Sequence, residues 1–193
     1  MPCAAATERV GVVLAGGRDS TAQWRWRAGI SLLDQAGRIL ERAGVERVIV
    51  SGALDHNDSL DDMQPDQGPL GGIASVLGQH PELIGQTLVV VPTDMPALNP
   101  RALTRLAEIA ELHGRGALFD LGPLPLALVV TATLAQSVGE ALSSSGSLGA
   151  LVSRLGLPVL GSMPDDGLDN VTSLAQLEEI RQRLDADRAA ASV

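Results

Sequence analysis

The sequence predicts an α/β protein of three layers, in which helices cover both faces of a mostly parallel sheet. Strand-like apolar runs alternate with helical patterns along the 193 residues, which is typical of βα units. The strand-like runs are apolar almost throughout, as in strands that are buried on both faces. Because such sheets bind ligands beyond the carboxyl ends of their strands, the residues that follow each strand are the first candidates for a site.

Four apolar runs predict the main strands, and a fifth predicts a shorter one. The first, at residues 10–14, is rich in β-branched residues and ends at two glycines. Pro125 lies in the fourth run, where its missing N–H predicts an edge strand or a strand start. The remaining runs are residues 47–50, 87–91, 124–130 and 157–160.

Helix predictions rest on periodicity and on capping residues. Asn99, followed by Pro100 and closed by Gly114, predicts one helix. Ser173 and Gln176 form a capping box that opens a last helix ending near residue 184. The other predicted helices cover residues 32–43, 72–77, 133–142 and 147–155. We expect a tail at residues 1–8, a single domain at 9–184 and a frayed tail at 185–193.

Composition excludes several classes of function. The net charge is −9 and all 14 basic residues are Arg, so nucleic-acid binding is not expected. The most apolar stretch, residues 116–135, contains an Asp and two prolines, which exclude a membrane span. Three scattered His give no zinc-ligand spacing, and the first residues lack the pattern of a secretory signal. We therefore expect a cytoplasmic protein without membrane or nucleic-acid partners.

Three segments after predicted strands contain the residues that could bind a ligand or take part in a reaction. The first follows residues 10–14 and consists of Leu14, Ala15, Gly16, Gly17 and Arg18. Paired glycines allow backbone N–H groups to approach an anion, as in phosphate-binding loops. The alternative is a tight turn without a ligand.

The second segment contains Asp94, directly after the predicted strand at 87–91. A carboxylate at this edge suits Mg²⁺, which takes one or two protein oxygens and completes its shell with water and phosphate. The alternative is an Asp that binds nearby backbone N–H groups in a turn.

The third segment runs from Asp62 to Ile73 and includes Gly68, Pro69, Leu70 and Gly72. Its glycines allow the backbone to lie flat against a planar base and to bind the edge of that base. The alternative is a flexible loop that leads into a helix.

Together, in this order and spacing, the three segments resemble the molybdenum cofactor guanylyltransferase family, among the nucleotidyltransferases of sugar-nucleotide type. The resemblance covers residues 10–180 and depends most on residues 68–73 and 93–96. It implies a Rossmann-like fold of the nucleotide-diphospho-sugar transferase type. Asn170, before the last predicted helix, matches the start of the family's Asn-Val-Asn-Thr segment.

The resemblance implies transfer of GMP from GTP to molybdopterin with release of pyrophosphate. Gly16 and Gly17 would hold the triphosphate, with Leu14, Ala15 and Arg18 beside the nucleotide. Asp94 would bind Mg²⁺, and Asn170 and Thr172 would face the pterin. The remaining nucleotide contacts would be Asp62, Gly68, Pro69, Leu70 and Gly72. A molybdoenzyme or its chaperone would be a further partner.

The chain departs from the family in the loop after Gly17. The family places a phosphate-binding Lys there, whereas this chain contains no Lys. Arg25 and Arg27 are the candidates to replace it, although Arg is a planar fork and Lys a point charge. The neighbouring Trp24 and Trp26 either pack beneath a lid or stack on a base or pterin. Thr172 stands where the family has a second Asn.

Two other functions stay open on these residues. One is a nucleotide- or pterin-binding relative with impaired catalysis, which the absent Lys favours. The other is a related transferase that uses another base or acceptor, such as a cytidylyltransferase.

Overall fold

The computed structural model describes residues 7–16, 21–52, 59–60 and 67–190, and in these residues the chain forms nine strands and six α-helices. The first half contains β1 (Arg9–Leu14), β2 (Arg25–Arg27), β3 (Ile30–Ser31), α1 (Leu32–Arg42), β4 (Arg47–Ser51), β5 (Ser59–Leu60), α2 (Gly68–Gln79) and β6 (Thr87–Pro92). The second half contains α3 (Pro100–His113), β7 (Gly116–Phe119), β8 (Leu126–Val129), α4 (Ala132–Ser143), α5 (Leu148–Leu155), β9 (Val159–Leu160) and α6 (Leu174–Ala190).

The main sheet has seven strands in the order β5-β4-β1-β6-β8-β7-β9. All neighbouring pairs are parallel except those that β8 makes with β6 and β7. One strand therefore runs against the others, and the prediction of a mostly parallel sheet is confirmed. The strand β1 lies between β4 and β6 and is parallel to both, which brings the carboxyl ends of three strands to one edge.

Apolar side chains fill both faces of this sheet. Successive residues of β1 point to opposite faces, so Val13 joins one core while Val10 and Val12 join the other. The first core contains α1 and α3, and the second contains α2, α4 and α5. This arrangement confirms the three layers that the apolar strands predicted.

Helix ends follow the capping residues in the sequence. The side-chain oxygen of Asn99 accepts from the N–H of Arg101 over 3.0 Å, and Gly114 closes α3 with a φ of 63°. The hydroxyl of Ser173 accepts from the N–H of Gln176 over 3.2 Å, as predicted for the last helix. That helix continues to Ala190, so residues 185–190 are helical and not the frayed tail that was expected.

The structure differs from the predicted strands at two places. Residues 116–119 form β7, which the sequence reading left without a structure. The strand β8 lies between β6 and β7, so the edge position proposed from Pro125 is wrong. Pro125 directly precedes β8, which agrees with the alternative of a strand start.

A small hairpin of β2 and β3 forms a third apolar cluster with α6. Its buried members are Trp26, Leu32, Val171, Leu177 and Ile180. The cluster lies beside the main sheet and ties the segment before α1 to the last helix. Within the described residues, no helix is long and apolar enough to cross a membrane; the cytoplasmic location stays a prediction.

Candidate active site

A cavity of about 500 Å³ opens where β1, β4 and β6 end. The described residues that line it are Leu14, Gly16, Thr21, Ser51, Gly68, Pro69, Gly72, Pro92, Thr93, Asp94, Met95, Leu121, Gly122, Pro123, Leu124, Leu168 and Asn170. Members of all three predicted segments therefore meet at one edge of the sheet. Asp94 is the one charged residue among these lining residues, and none of them is a Lys, Arg or His.

The end of β1 forms one wall of the cavity. The N–H of Ala15 donates to the carbonyl of Ser51 over 2.8 Å, which joins the end of β1 to the end of β4. Gly16 follows and is exposed at the cavity. The predicted Gly17 and Arg18 lie outside the described residues.

The start of α2 forms a second wall. Gly68 has a φ of 59°, in the left-handed region that favours glycine. Pro69 occupies the first turn, and Gln67 makes no side-chain capping bond. The first-turn N–H groups therefore carry the partial positive charge of an uncapped helix start. The helix begins four residues before the predicted start at residue 72.

Gly72 is required where α2 passes close to β1 and β4. A Cβ at this position would lie 2.8 Å from Leu14 Cδ2 and 3.0 Å from Ser51 Oγ. A side chain at this position would force the Leu14 and Ser51 side chains to shift. Leu70, by contrast, is 1% exposed and packs in the core with α4, so its side chain does not line the cavity. Asp62 lies outside the described part of the chain.

Asp94 follows β6 and is half-buried at the cavity. Among the described residues, its Oδ1 is buried and has no hydrogen-bond partner. Burial raises the pKa of the Asp94 carboxyl, and the carboxyl's hydrogen bond to its own backbone N–H offsets part of that increase. A buried carboxylate oxygen without a partner suits a divalent cation, whose charge would compensate the lost hydration.

The residues described do not form a metal cage. No group of three or more His, Cys, Asp or Glu comes together in them. One carboxylate with an open cavity beside it is the arrangement typical of Mg²⁺, which binds through one or two carboxylates and substrate phosphates. Asp94 therefore fits a metal that arrives with a phosphate ligand.

Asn170 reaches the cavity on the segment between β9 and α6. The N–H of Val171 donates to the carbonyl of Asp94 over 2.7 Å, so this segment binds directly to the proposed metal ligand's backbone. Thr172 lies two residues beyond Asn170, but its hydroxyl donates to Gln176 and it is not among the lining residues. The structure therefore brings Asn170, and not Thr172, to the site.

A buried acid holds the same segment in place. Asp166 is 3% exposed, and its carboxylate accepts from Arg105 over 2.8 Å and from the N–H of Met163 over 2.7 Å. The next residue, Gly167, has a φ of 70°, and a Cβ there would lie 2.0 Å from the carbonyl oxygen of Ala97. These contacts fix the path of the chain that ends at the cavity.

Arg25 and Arg27 lie in β2 and do not line the cavity. Arg27 forms an ion pair with Asp185 over 2.8 Å and lies over the Trp26 ring at 5.4 Å from its centre. Arg25 is exposed, and its carbonyl accepts from Arg181. The structure thus places Arg27 against the last helix and leaves the cavity without a cation from this hairpin.

Trp26 packs inside the protein. It is 3% exposed, and the guanidinium groups of Arg27 and Arg181 lie over its ring, 5.4 and 5.9 Å from its centre. Of the two alternatives for the tryptophans, the structure therefore supports packing for Trp26. Its stacking surface is already occupied.

Three parts of the cavity escaped the sequence reading. They are Thr21, Ser51 and the turn at residues 121–124 between β7 and β8. Ser51 was detectable, since it directly follows the predicted strand at 47–50. The turn at residues 121–124 was not predicted because the strand before it, β7, was not predicted. Thr21 was not predicted because its loop departs from the family pattern.

Comparison with known proteins gives the family. A family model described as the MobA-like NTP transferase domain matches residues 11–159. The chain belongs to this family. A relative from Xanthomonas euvesicatoria pv. vesicatoria (strain 85-10), the molybdenum cofactor guanylyltransferase, is 37% identical over 142 residues, which are 71% of this chain and 72% of the relative. The resemblance inferred from the motifs is confirmed.

Solved structures confirm the fold of this MobA-like domain. Rv0371c from Mycobacterium tuberculosis H37Rv is 19% identical with a TM-score of 0.68, covering 90% of this chain and 98% of its own. A 4-diphosphocytidyl-2C-methyl-D-erythritol synthase is 16% identical with a TM-score of 0.69, covering 92% and 98%. Rv0371c is also known as a complex with manganese; that structure is 22% identical with a TM-score of 0.61, covering 91% and 100%.

Proposed function

We propose that this MobA-like chain transfers GMP from GTP to molybdopterin and releases pyrophosphate. The observation that carries the proposal is a single cavity that joins the end of β1, the start of α2 and the half-buried Asp94. The named relative supports the choice of GTP and molybdopterin. A molybdoenzyme or its chaperone as recipient of the product stays a prediction from the motifs.

The walls of the cavity suit the parts of a nucleotide. Gly16 offers exposed backbone to the cavity where β1 ends. Gly68 and Pro69 are exposed at the cavity and would lie against the base. Gly17, Arg18 and Asp62 remain proposed nucleotide contacts from the sequence alone. We place the phosphates near Gly16 and Asp94 and the base near Gly68.

Asp94 is the proposed ligand of Mg²⁺. The metal would supply the positive charge that the described lining residues lack, and would neutralise the triphosphate. The buried Oδ1 without a partner is the observation that favours this role.

The reaction is an in-line displacement in which the chain binds and orients both substrates. A terminal phosphate oxygen of molybdopterin forms the new bond to the α-phosphorus, and the bond from that phosphorus to the bridging oxygen of pyrophosphate breaks. Asn170 can donate and accept hydrogen bonds at the cavity, on the segment that binds the Asp94 carbonyl, and we place the acceptor beside it. Because both substrates are anions, positioning and charge neutralisation are the main catalytic effects.

A binding protein without turnover is the second candidate, and one observation favours it. The chain has no Lys, and Arg27 is paired with Asp185 and lies outside the cavity. A relative that keeps the nucleotide cavity but lacks the cation would bind GTP and release no pyrophosphate.

Product analysis separates these functions. The protein is incubated with molybdopterin, Mg²⁺ and one of GTP, CTP or ATP, and products are identified by mass spectrometry. The proposal expects a guanylylated pterin from GTP and much less product from the other nucleotides. Binding of GTP without product would support the second candidate, and a cytidylylated product would support a transferase with another base.

A further inference from the structure

Two buried threonine hydroxyls meet in the wall of the cavity. Thr21 Oγ1 and Thr93 Oγ1 lie 3.1 Å apart, and the residues are 9% and 6% exposed. They come from separate parts of the chain: Thr93 lies between β6 and Asp94, and Thr21 starts a turn in which its carbonyl accepts from the N–H of Trp24 over 2.9 Å.

One of the two hydroxyl protons of the pair is not used in the hydrogen bond between them. Each hydroxyl carries one proton, and the bond between Thr21 and Thr93 uses one of the two. Among the described residues, neither hydroxyl has any other hydrogen-bond partner. A buried hydroxyl proton without an acceptor is costly, and both residues border the cavity, so an acceptor is expected there.

A phosphate oxygen is the acceptor that best matches the position of the pair. The described lining holds no Lys, Arg or His and a single acid, Asp94. A hydroxyl is a neutral donor whose hydrogen bond strengthens when the acceptor is charged. Its position beside Asp94 puts the donor next to the proposed metal site, where the phosphates of the nucleotide lie.

We propose that the Thr21–Thr93 pair binds the polyphosphate of the nucleotide by donating its second O–H to a nonbridging phosphate oxygen. This inference rests on the proposed function, because it assumes that a nucleotide polyphosphate occupies the cavity. The pair provides, without charge, a phosphate contact in a cavity that lacks the family's Lys.

Valine variants test the pair, because Val keeps the β-branched shape and removes the hydroxyl. Affinities for Mg²⁺·GTP and for Mg²⁺·tripolyphosphate, which has no base, are measured by calorimetry for Thr21→Val, Thr93→Val and the double variant. Loss of a hydrogen bond to a charged oxygen corresponds to an affinity about 10- to 100-fold lower. We expect this loss for both ligands in the double variant, with less than additive effects of the single changes.

Two control proteins separate the contact from a packing effect. Thr87→Val removes another buried hydroxyl, which lies at the opposite end of β6 and has no partner among the described residues, and it should leave both affinities unchanged. The double variant Thr21→Ser with Thr93→Ser keeps the hydroxyls and should bind within about threefold of the wild type.

The outcomes distinguish this proposal from the proposed function. If the wild type binds both ligands and the double valine variant binds them equally well, the pair has no phosphate contact. A loss for GTP alone would place the contact at the base or sugar and would also overturn it. Binding of tripolyphosphate without GTP, with the loss in the double valine variant, would uphold the pair and reject the proposed function. A wild type that binds neither ligand rejects both.

Discussion

The N–H of Val171 donates a hydrogen bond to the carbonyl of Asp94 over 2.7 Å. This bond joins the two halves of the proposed site, since Asp94 lies at the metal end and Asn170 precedes Val171. The Val171 side chain is fully buried against the Trp26 cluster. The position of the segment at the acceptor end therefore depends on contacts that are remote from the nucleotide.

Asp166 is expected to control that segment. Asp166→Asn weakens the bonds to Arg105 and to the N–H of Met163, and we expect a loss of about 1–3 kcal/mol in the free energy of unfolding. The KM for molybdopterin should rise more than the KM for GTP, because the segment carries Asn170. Asp165→Asn is the matched control, since that side chain is exposed. Equal effects on both KM values would reject a role at the acceptor end.

Asp94 gives a prediction for pH dependence in the absence of metal. Burial raises its pKa in the folded protein above the ordinary 3.8, so ionisation of this group favours the unfolded state. We expect metal-free Asp94→Asn to be about 1 kcal/mol more stable than the wild type at neutral pH. The difference should be absent below pH 3.8, grow as the pH rises from 3.8 to the raised pKa, and stay constant above that pKa.

Urea unfolding of both proteins in EDTA, across that range, measures this difference. Added Mg²⁺ should stabilise the wild type and not Asp94→Asn, because binding to the native state shifts the unfolding equilibrium. If the difference in unfolding free energy between the two proteins does not change with pH, burial of the ionised Asp94 carboxylate does not destabilise the folded protein, and the prediction is wrong.

Gly72→Ala tests the close approach of α2 to the ends of β1 and β4. The new Cβ would meet Leu14 and Ser51 at 2.8 and 3.0 Å, and we expect a loss of about 1–2 kcal/mol in stability. Weaker GTP binding should accompany it, since Leu14 must move at the cavity wall.

Gly37→Ala is the matched control in α1, where a Cβ meets nothing within 4 Å. Both changes improve helix propensity, so the control should gain about 0.5–1 kcal/mol. Stabilisation by both changes would show that the contact at Gly72 costs nothing.

Arg27→Gln tests whether the hairpin arginine takes the place of the missing Lys. The ion pair with Asp185 is partly exposed, so its loss should cost less than about 1 kcal/mol. We expect the affinity for Mg²⁺·GTP, measured by calorimetry, to stay unchanged. The variant Arg25→Gln, at an exposed residue of the same strand, should also leave this affinity unchanged. A more than tenfold loss in Arg27→Gln, without loss of stability, would instead support the role expected from the sequence.

Local patterns predicted most of the fold. The Asn99 cap, Gly114 and the buried strands act within a few residues, so the sequence shows them directly. Pro125 predicted either an edge strand or a strand start, and only the second holds, because Pro125 limits only its own N–H while strand order depends on contacts between distant segments. The strand β7 was not predicted because its four residues are too few to show a hydrophobic pattern.

The sequence predicted those parts of the candidate site that lie within a single segment of the chain. Gly16 and Asp94 follow strands and Gly68 begins a helix at the same sheet edge, so these three could be predicted to meet in one cavity. Gly72 lies within α2 and Asn170 on the segment between β9 and α6, and their prediction depended on the family motifs. The Thr21–Thr93 contact joins residues 72 positions apart, and no local pattern marks it. Arg27 was expected at the phosphates because of its charge and its place in the loop where the family has a Lys, whereas its partner Asp185 lies in a segment expected to be frayed.

The most direct test of the account is the rate of pyrophosphate release from GTP with molybdopterin and Mg²⁺, compared between the wild type and Asp94→Ala. We expect release by the wild type, none without Mg²⁺ or without molybdopterin, and a loss of at least about 100-fold in Asp94→Ala. An Asp94→Ala protein that releases pyrophosphate at the wild-type rate would contradict the central role of this carboxylate.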